Sequence, residues 1–383
     1  MTDISQHAGS EQQMDLVATD MRRFLQQVAT GPELSKDLTL DEARTAMEYI
    51  LEGRADEVQA AVFLIALRMK RETLDELLGV LQALLGRTKH IEVDLPDLVD
   101  LADPFDGYQR GMPIAPFLPP VLAACGIPAV SNGVESLGPK FGITASRVLA
   151  AACCSVNLTT QAAADQLTDP DIGWAYVDQR ESCPDLHRLL ELRRRIVKRP
   201  CLTTVEVLVG PLRAVRTHLM TGYVHKPYPP IYTALARAAG YASAMVVRGV
   251  EGGVIPSLNQ ASKYFSYHGD SKDREFRLDP GAAGIQSATR TAPWPEIETL
   301  LTTADSDKAR ACAEQGIRAL SGEAGPFREG LVYGTALCLT HLGRAADWMS
   351  ARAAVSEVLD SGAALARFER VVARRQGQVL SDG

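Results

Sequence analysis

The chain has 383 residues, 46% of them apolar and 23% charged, with a formal net charge of -7. That length exceeds what one hydrophobic core usually supports, so one large domain plus a smaller one is expected, and the acidic balance disfavours indiscriminate attraction to polyanions. No run approaches the roughly 20 apolar residues of a membrane span and the start, MTDISQHAGSEQQ, is polar rather than a signal peptide, so a cytoplasmic protein without membrane partners is predicted.

Residues 1–13 read as an irregular tail. The next seventy or so form consecutive amphipathic helices: Thr39-Leu-Asp-Glu42 and Thr73-Leu-Asp-Glu76 are capping boxes, in which hydroxyl and carboxylate each satisfy an orphan backbone donor. Gly53 and Gly86 sit where those helices would stop, and Val58, Val62, Ile65 and Met69 are spaced for one helical face between them. From about residue 93 short β-rich runs (LVDLAD, IPAVSNG, IGWAYV, RTHLMTGYV, ASAMVVRG) alternate with helical ones (FLPPVLAAC, TASRVLAAAC, PDLHRLLELRRR, YPPIYTALARAAG), which predicts an α/β domain with a mainly parallel sheet. Helical patterns from Trp294 to Val372 close the chain. The seven cysteines are odd in number and lack a CxxC pair, so buried reduced thiols are expected, and pairing of the adjacent Cys153 and Cys154 would be strained.

In open α/β sheets ligands bind where strands end, so the loops there carry the chemistry. The loop from Asp103 through Asp106 and Gly107 to Arg110 offers carboxylates for Mg²⁺ or a ribose hydroxyl, and a guanidinium for phosphate. The stretch Ser131-Asn132-Gly133 to Gly138-Pro139-Lys140-Phe-Gly142 has three glycines and a lysine, suited to cradling an anion. Pro139 and the lack of a hydroxyl after Lys140 exclude a nucleotide P-loop. The segment from Leu186 to Lys226 is the densest in positive charge. Arg193, Arg194 and Arg195 would point in different directions on a helix, so at least one should leave the solvent face. His225 and Lys226 close a strand in a setting that suits phosphate or carboxylate, and Glu251, in Arg248-Gly249-Val-Glu251-Gly252-Gly253, suits a metal or hydroxyl.

Taken in order, these segments resemble the anthranilate phosphoribosyltransferases and their relatives, the pyrimidine nucleoside phosphorylases. The most specific stretch is LEGRADEVQAAVFLIALRMKRETLDELLG, and the likeness spans about residues 15–375. It implies an α/β fold of the class II phosphoribosyltransferase type: a small all-helical N-terminal domain, residues 1–92 with a returning segment near 184–212, plus a larger α/β domain over 93–383. It also implies phosphoribosyl diphosphate and Mg²⁺ bound in a cleft between the two, and a homodimer formed through the helical domain. By the same resemblance Arg193 matches the arginine that meets the acceptor's carboxylate. Three replacements stand out: Asp103-Pro-Phe-Asp106-Gly107 for the family's GTGGD, Ser131-Asn132-Gly133 for KHG, and Val254-Ile255 for an Asp-Glu metal pair. They point away from authentic anthranilate transfer. GYVHKPY and RGVEGG are closer to a paralogous branch, some of whose members bind nucleic acid through a basic groove, for which residues 186–226 would serve here. The leading expectation is a phosphoribosyltransferase-like glycosyltransferase that contacts a phosphorylated ligand through Asp106, Gly107, Arg110, Asn132, Gly133, Lys140, Arg193, His225 and Lys226, with Glu251 as metal ligand. The alternative is a non-catalytic nucleic-acid-binding paralogue.

Overall fold

The computed structural model describes residues 4–31, 33–295 and 304–381. It divides into two compact units, Met1–Thr88 with Cys183–Val209, and Lys89–Ser182 with Gly210–Gly383.

The first unit is helical. Helices α1 (Ile4–Val28), α2 (Leu40–Leu51), α3 (Glu57–Lys70) and α4 (Leu74–Arg87) are joined by the short helix Leu190–Ile196 of the returning segment. Both capping boxes form. The Thr39 and Thr73 hydroxyls accept the amides of Glu42 and Glu76, whose carboxylates accept the Thr39 and Thr73 amides at 3.0 and 2.9 Å. Such a cap stabilises a helix by about 1 kcal/mol. Gly53 follows α2 with φ +70°, whereas α4 continues past Gly86 to Arg87. Two expectations are corrected. Helix α1 already begins at Ile4, because the polar stretch there contains no proline and is rich in helix-compatible Ala, Gln and Glu; residues 1–3 lie outside the described residues. On α3 the residues facing the core are Ala60, Phe63, Leu64 and Leu67, while Val58 (70%), Val62 (38%) and Met69 (75%) stay exposed. Helical spacing of apolar residues identifies the helix, but α3 is apolar on more than one side, so the spacing alone does not say which side is covered.

The second unit holds a seven-stranded sheet built from β2 (Asp97–Ala102), β3 (Ala129–Gly133), β4 (Trp174–Asp178), β6 (Arg216–Gly222), β7 (Ser243–Val247), β8 (Ser262–His268) and β9 (Arg274–Leu278), in the spatial order β4-β3-β2-β6-β7-β8-β9. The first five are parallel, and the hairpin β8–β9 is antiparallel. A separate parallel pair joins β1 (Ile91–Glu92) to β5 (Leu212–Arg213). Helices cover both faces, which is why β2, β3 and β7 are buried along their whole length. Alternate residues part to opposite sides. Val99, Leu101, Ala129, Trp174, Tyr176 and Met245 pack with Phe117, Leu331 and Phe368, and Leu98, Val130, Ala175 and Val177 pack with Ala163 and Leu167. Trp174 stacks on Phe368 at 5.8 Å. The closing helices are Asp305–Leu320, Pro326–His341, Trp348–Asp360 and Ala363–Ser381; residues 296–303 lie outside the described residues. All seven cysteines are free thiols, five of them buried.

The sheet's two ends differ. At the N-terminal end of the parallel strands, Asp97 accepts Arg216 at 2.7 and 2.8 Å, Arg344 at 2.9 Å and His218 Nε2 at 3.0 Å. His218 Nδ1 lies 2.8 Å from Ser243 Oγ, which lies 2.9 Å from His341 Nε2. With His218 Nε2–H donating to Asp97, Ser243 donates to His218 Nδ1 and accepts from His341 Nε2–H, an arrangement in which the His218 ring is neutral. The hydrogen bond from Arg216 holds the Asp97 carboxyl well below the usual range, and burial pushes the His341 imidazole down to about 3. The C-terminal end carries the loops singled out in the sequence.

Candidate functional site

The loops after β2, β3, β6 and β7 interlock. Tyr108 and Ile143 exchange backbone hydrogen bonds of 3.0 and 2.8 Å, and the Asp106 carbonyl accepts the Gly142 amide at 2.8 Å. Gly107 makes this approach possible: it has φ +72°, and a Cβ there would lie 2.6 Å from the Gly142 carbonyl carbon. Gly253 is equally constrained, because a Cβ would lie 1.6 Å from the Tyr108 hydroxyl. That hydroxyl donates to Asp103 at 2.7 Å, and the same carboxylate oxygen accepts the Val254 amide at 3.1 Å. Burial pushes the Asp103 carboxyl up to about 6, against the lowering effect of these two donors.

Glu251 sits at the centre. Its carboxylate accepts the backbone amides of Gln109 (3.1 Å), Arg110 (2.7 Å) and Gly111 (3.2 Å), and pairs with Lys140 Nζ at 3.0 Å. A carboxylate surrounded by four donors, one of them a cation, is placed as an anion and not as a metal ligand, so the assignment of Glu251 to Mg²⁺ does not fit this geometry. Among the described residues no group of three His, Cys, Asp or Glu side chains converges to hold a metal ion. Val254 and Ile255 belong to the hydrophobic core.

Beside this network, Asn132 donates to the fully buried Asp100 at 3.1 Å, and Tyr241 donates to the other Asp100 oxygen at 2.6 Å. Burial raises the Asp100 carboxyl to about 6. The Asn132 Oδ1 and Ser131 Oγ atoms are buried without a hydrogen-bond partner among the described residues. Gly133 ends β3, with the Tyr176 hydroxyl 3.2 Å from where its Cβ would be. Asp106 is buried; His225 and Lys226 follow β6 on the surface. Arg110, Lys226 and Arg248 are exposed and make no ion pair among the described residues. Arg248 is absent from the contacts expected from the sequence, although its place directly after a parallel strand is the signal that marks it.

Arg193 belongs to the helical unit. Its neighbours Arg194 and Arg195 are 60% and 50% exposed, whereas Arg193 is 1% exposed and makes a bidentate pair with fully buried Glu206 at 2.6 and 2.7 Å. The helix thus turns one arginine inward, as its geometry requires, toward a carboxylate of the chain itself. Four further arginines of the basic segment are also paired: Arg188 with Asp185, Arg194 with Glu191, Arg195 with Glu57, and Arg216 with Asp97.

Residues 22–87 match the sequence model for the helical bundle domain of a glycosyl transferase family, and residues 109–365 match that family's α/β domain. An anthranilate phosphoribosyltransferase of Bradyrhizobium diazoefficiens is 27% identical over 361 residues, which cover 94% of this chain and 99% of that protein. An uncharacterized protein of Aquifex aeolicus is 28% identical over 221 residues, 58% of this chain and 65% of that protein. Among solved structures, the anthranilate phosphoribosyltransferase of Thermus thermophilus superposes with a TM-score of 0.70 at 18% identity, covering 93% and 99% of the two chains. The Saccharomyces cerevisiae enzyme in complex with PRPP and Mg superposes with a TM-score of 0.71 at 16% identity, covering 94% and 98%. Identity this low shows a shared fold.

Proposed function

Because the chain belongs to the glycosyl transferase family of helical-bundle and α/β domains, we propose that it is a phosphoribosyl-type glycosyltransferase that takes a phosphorylated ligand at the C-terminal ends of its parallel strands. The observation that carries this reading is the set of exposed cations without carboxylate partners among the described residues, Arg110, Lys226 and Arg248, on loops that leave the neighbouring strands β2, β6 and β7. Cations in that position suit a phosphate or diphosphate, and the departing charge of a glycosyl transfer is what such groups stabilise. The Asn132 carbonyl and Ser131 hydroxyl, buried and without a hydrogen-bond partner among the described residues, would accept hydroxyls of the sugar once the loops part around it. His225 and Asp106 flank the same loops, and Gly107 and Gly133 keep their backbones close to neighbouring elements. Among the described residues no cluster of His, Cys, Asp or Glu would hold Mg²⁺, so any Mg²⁺ would arrive on the ligand's own phosphate oxygens. The chain lacks the GTGGD loop, and anthranilate is not the acceptor we propose.

Titration calorimetry with phosphoribosyl diphosphate and ribose 5-phosphate tests the reading. Arg110→Ala or Lys226→Ala should each weaken binding roughly ten- to a hundredfold, since a charge-assisted hydrogen bond contributes about 1.5–3 kcal/mol. No binding of either compound, together with salt-steep binding of an oligonucleotide, would replace this proposal with the nucleic-acid one. The pairing of Arg188, Arg193, Arg194, Arg195 and Arg216 with acids argues against that rival. We also propose a homodimer through the helical unit, supported by the exposed stripe Val58, Val62 and Met69 on α3.

A further inference from the structure

Three successive backbone N–H groups aimed at one point form an anion-binding nest, and here the nest over Gln109, Arg110 and Gly111 is filled by the chain itself. Lys140 completes a set of four donors around the Glu251 carboxylate. We propose that these three amides and the Lys140 ammonium are an oxyanion site which Glu251 occupies as an internal stand-in, and that a phosphate group enters by displacing it. The idea takes its ligand from the phosphorylated-ligand reading above, but its geometry stands independently.

Three features support displacement over a permanent cap. The Glu251 and Lys140 side chains are only 8% and 10% exposed, yet Gln109 and Arg110, whose amides build the nest, lie on the surface, so a ligand reaches the site by local movement. Glu251 is held at φ +55°, ψ 18°, a left-handed conformation that a residue with a side chain adopts only under constraint. It is followed by Gly252 at φ +86°, where a Cβ would meet only the end of the Val224 side chain, so the turn beside Glu251 is the part of the loop with room to carry the carboxylate away. A phosphate dianion offers more charge and more oxygens than a carboxylate, so it satisfies the same four donors and leaves an oxygen for the Arg110 guanidinium, which makes no ion pair among the described residues. A neutral sugar does neither, and the stand-in therefore selects for the phosphorylated form.

The test uses inorganic phosphate and the full chain. Glu251→Ala should melt below the wild type in phosphate-free buffer and recover several degrees in millimolar phosphate. It should also bind phosphate at least tenfold more tightly than the wild type, since the site no longer has to expel its own carboxylate. Adding Lys140→Met should abolish that recovery. Should Glu251→Ala fold only when purified in phosphate, the proposal is equally supported; should it fold in neither buffer, Glu251→Gln decides by the same binding measurement. Phosphate affinity no tighter than wild type in these variants, or recovery that survives Lys140→Met, overturns it. Recovery by phosphate in a protein that ignores every phosphorylated sugar would keep the stand-in and remove the functional proposal.

Discussion

The helical unit and the strand-end loops leave opposite things unfinished. In the helical unit the prominent charges are closed: Arg193 is paired with Glu206 and Lys70 with Glu76 and Asp37, all within 3 Å, while an apolar stripe on α3 stays open to solvent. In the α/β unit most apolar residues are closed into cores on both sheet faces, with Phe141, Val215, Val224 and Met349 left exposed, and the strand-end loops present the exposed cations Arg110, Lys226 and Arg248. What each region leaves unsatisfied indicates what it meets: an apolar surface suits another protein surface, and cations suit an anionic ligand.

The sharpest way to break this contrast is to open a closed charge. Glu206→Ala strands the buried Arg193 guanidinium and should cost about 3–5 kcal/mol of stability in denaturant unfolding. It should leave phosphorylated-ligand affinity unchanged in the protein that remains folded. A large affinity loss at full folding would instead place Arg193 in the binding machinery.

A smaller effect is expected at the opposite end of the sheet. His341 is held neutral, at about 3 against 6.5 in the unfolded chain, so its contribution to stability is present above pH 6.5 and is lost as pH falls toward 3. Between pH 7 and pH 5 this amounts to about 2 kcal/mol. The groups around it act in concert: His218, His268 and Ser243 face it, Asp97 binds His218, and Arg216 and Arg344 bind Asp97. Asp100 and Asp103, both raised to about 6, contribute with the opposite sign, favouring the folded state as pH falls through 6. The difference between proteins isolates the histidine: the melting-temperature deficit of His341→Asn should shrink steadily from pH 7 to pH 5. A deficit independent of pH would refute the neutral histidine chain.

The smallest change in stability should come from the α3 stripe. Val58→Asp with Met69→Asp lies on exposed positions and should alter monomer stability by no more than about 0.5 kcal/mol. Light scattering should nevertheless show the dimer falling to monomer. A monomeric wild type, or a dimer indifferent to both substitutions, would remove that surface from the comparison.

Local chemistry was legible in the chain. The two capping boxes each depend on residues three apart, and that at least one of Arg193, Arg194 and Arg195 leaves the solvent face follows from the helical repeat, which does not say which one. The parallel strands were legible because a sheet covered on both faces demands continuous apolar runs. The loops carrying Asp106, Gly107, Arg110, Lys140, Lys226 and Glu251 were marked by their place after those runs. Roles inside the loops were not. Glu251 reads as a metal ligand by residue type, but its donors stand about 140 positions earlier, at Gln109, Arg110 and Gly111, and three of the four are backbone amides that no sequence pattern displays. The covered side of α3 and the carboxylate awaiting Arg193 were likewise undetermined. Spacing along a chain fixes which groups share a face or a turn, but only the packing of distant segments decides whether a charge is answered from within the molecule or left for something outside it.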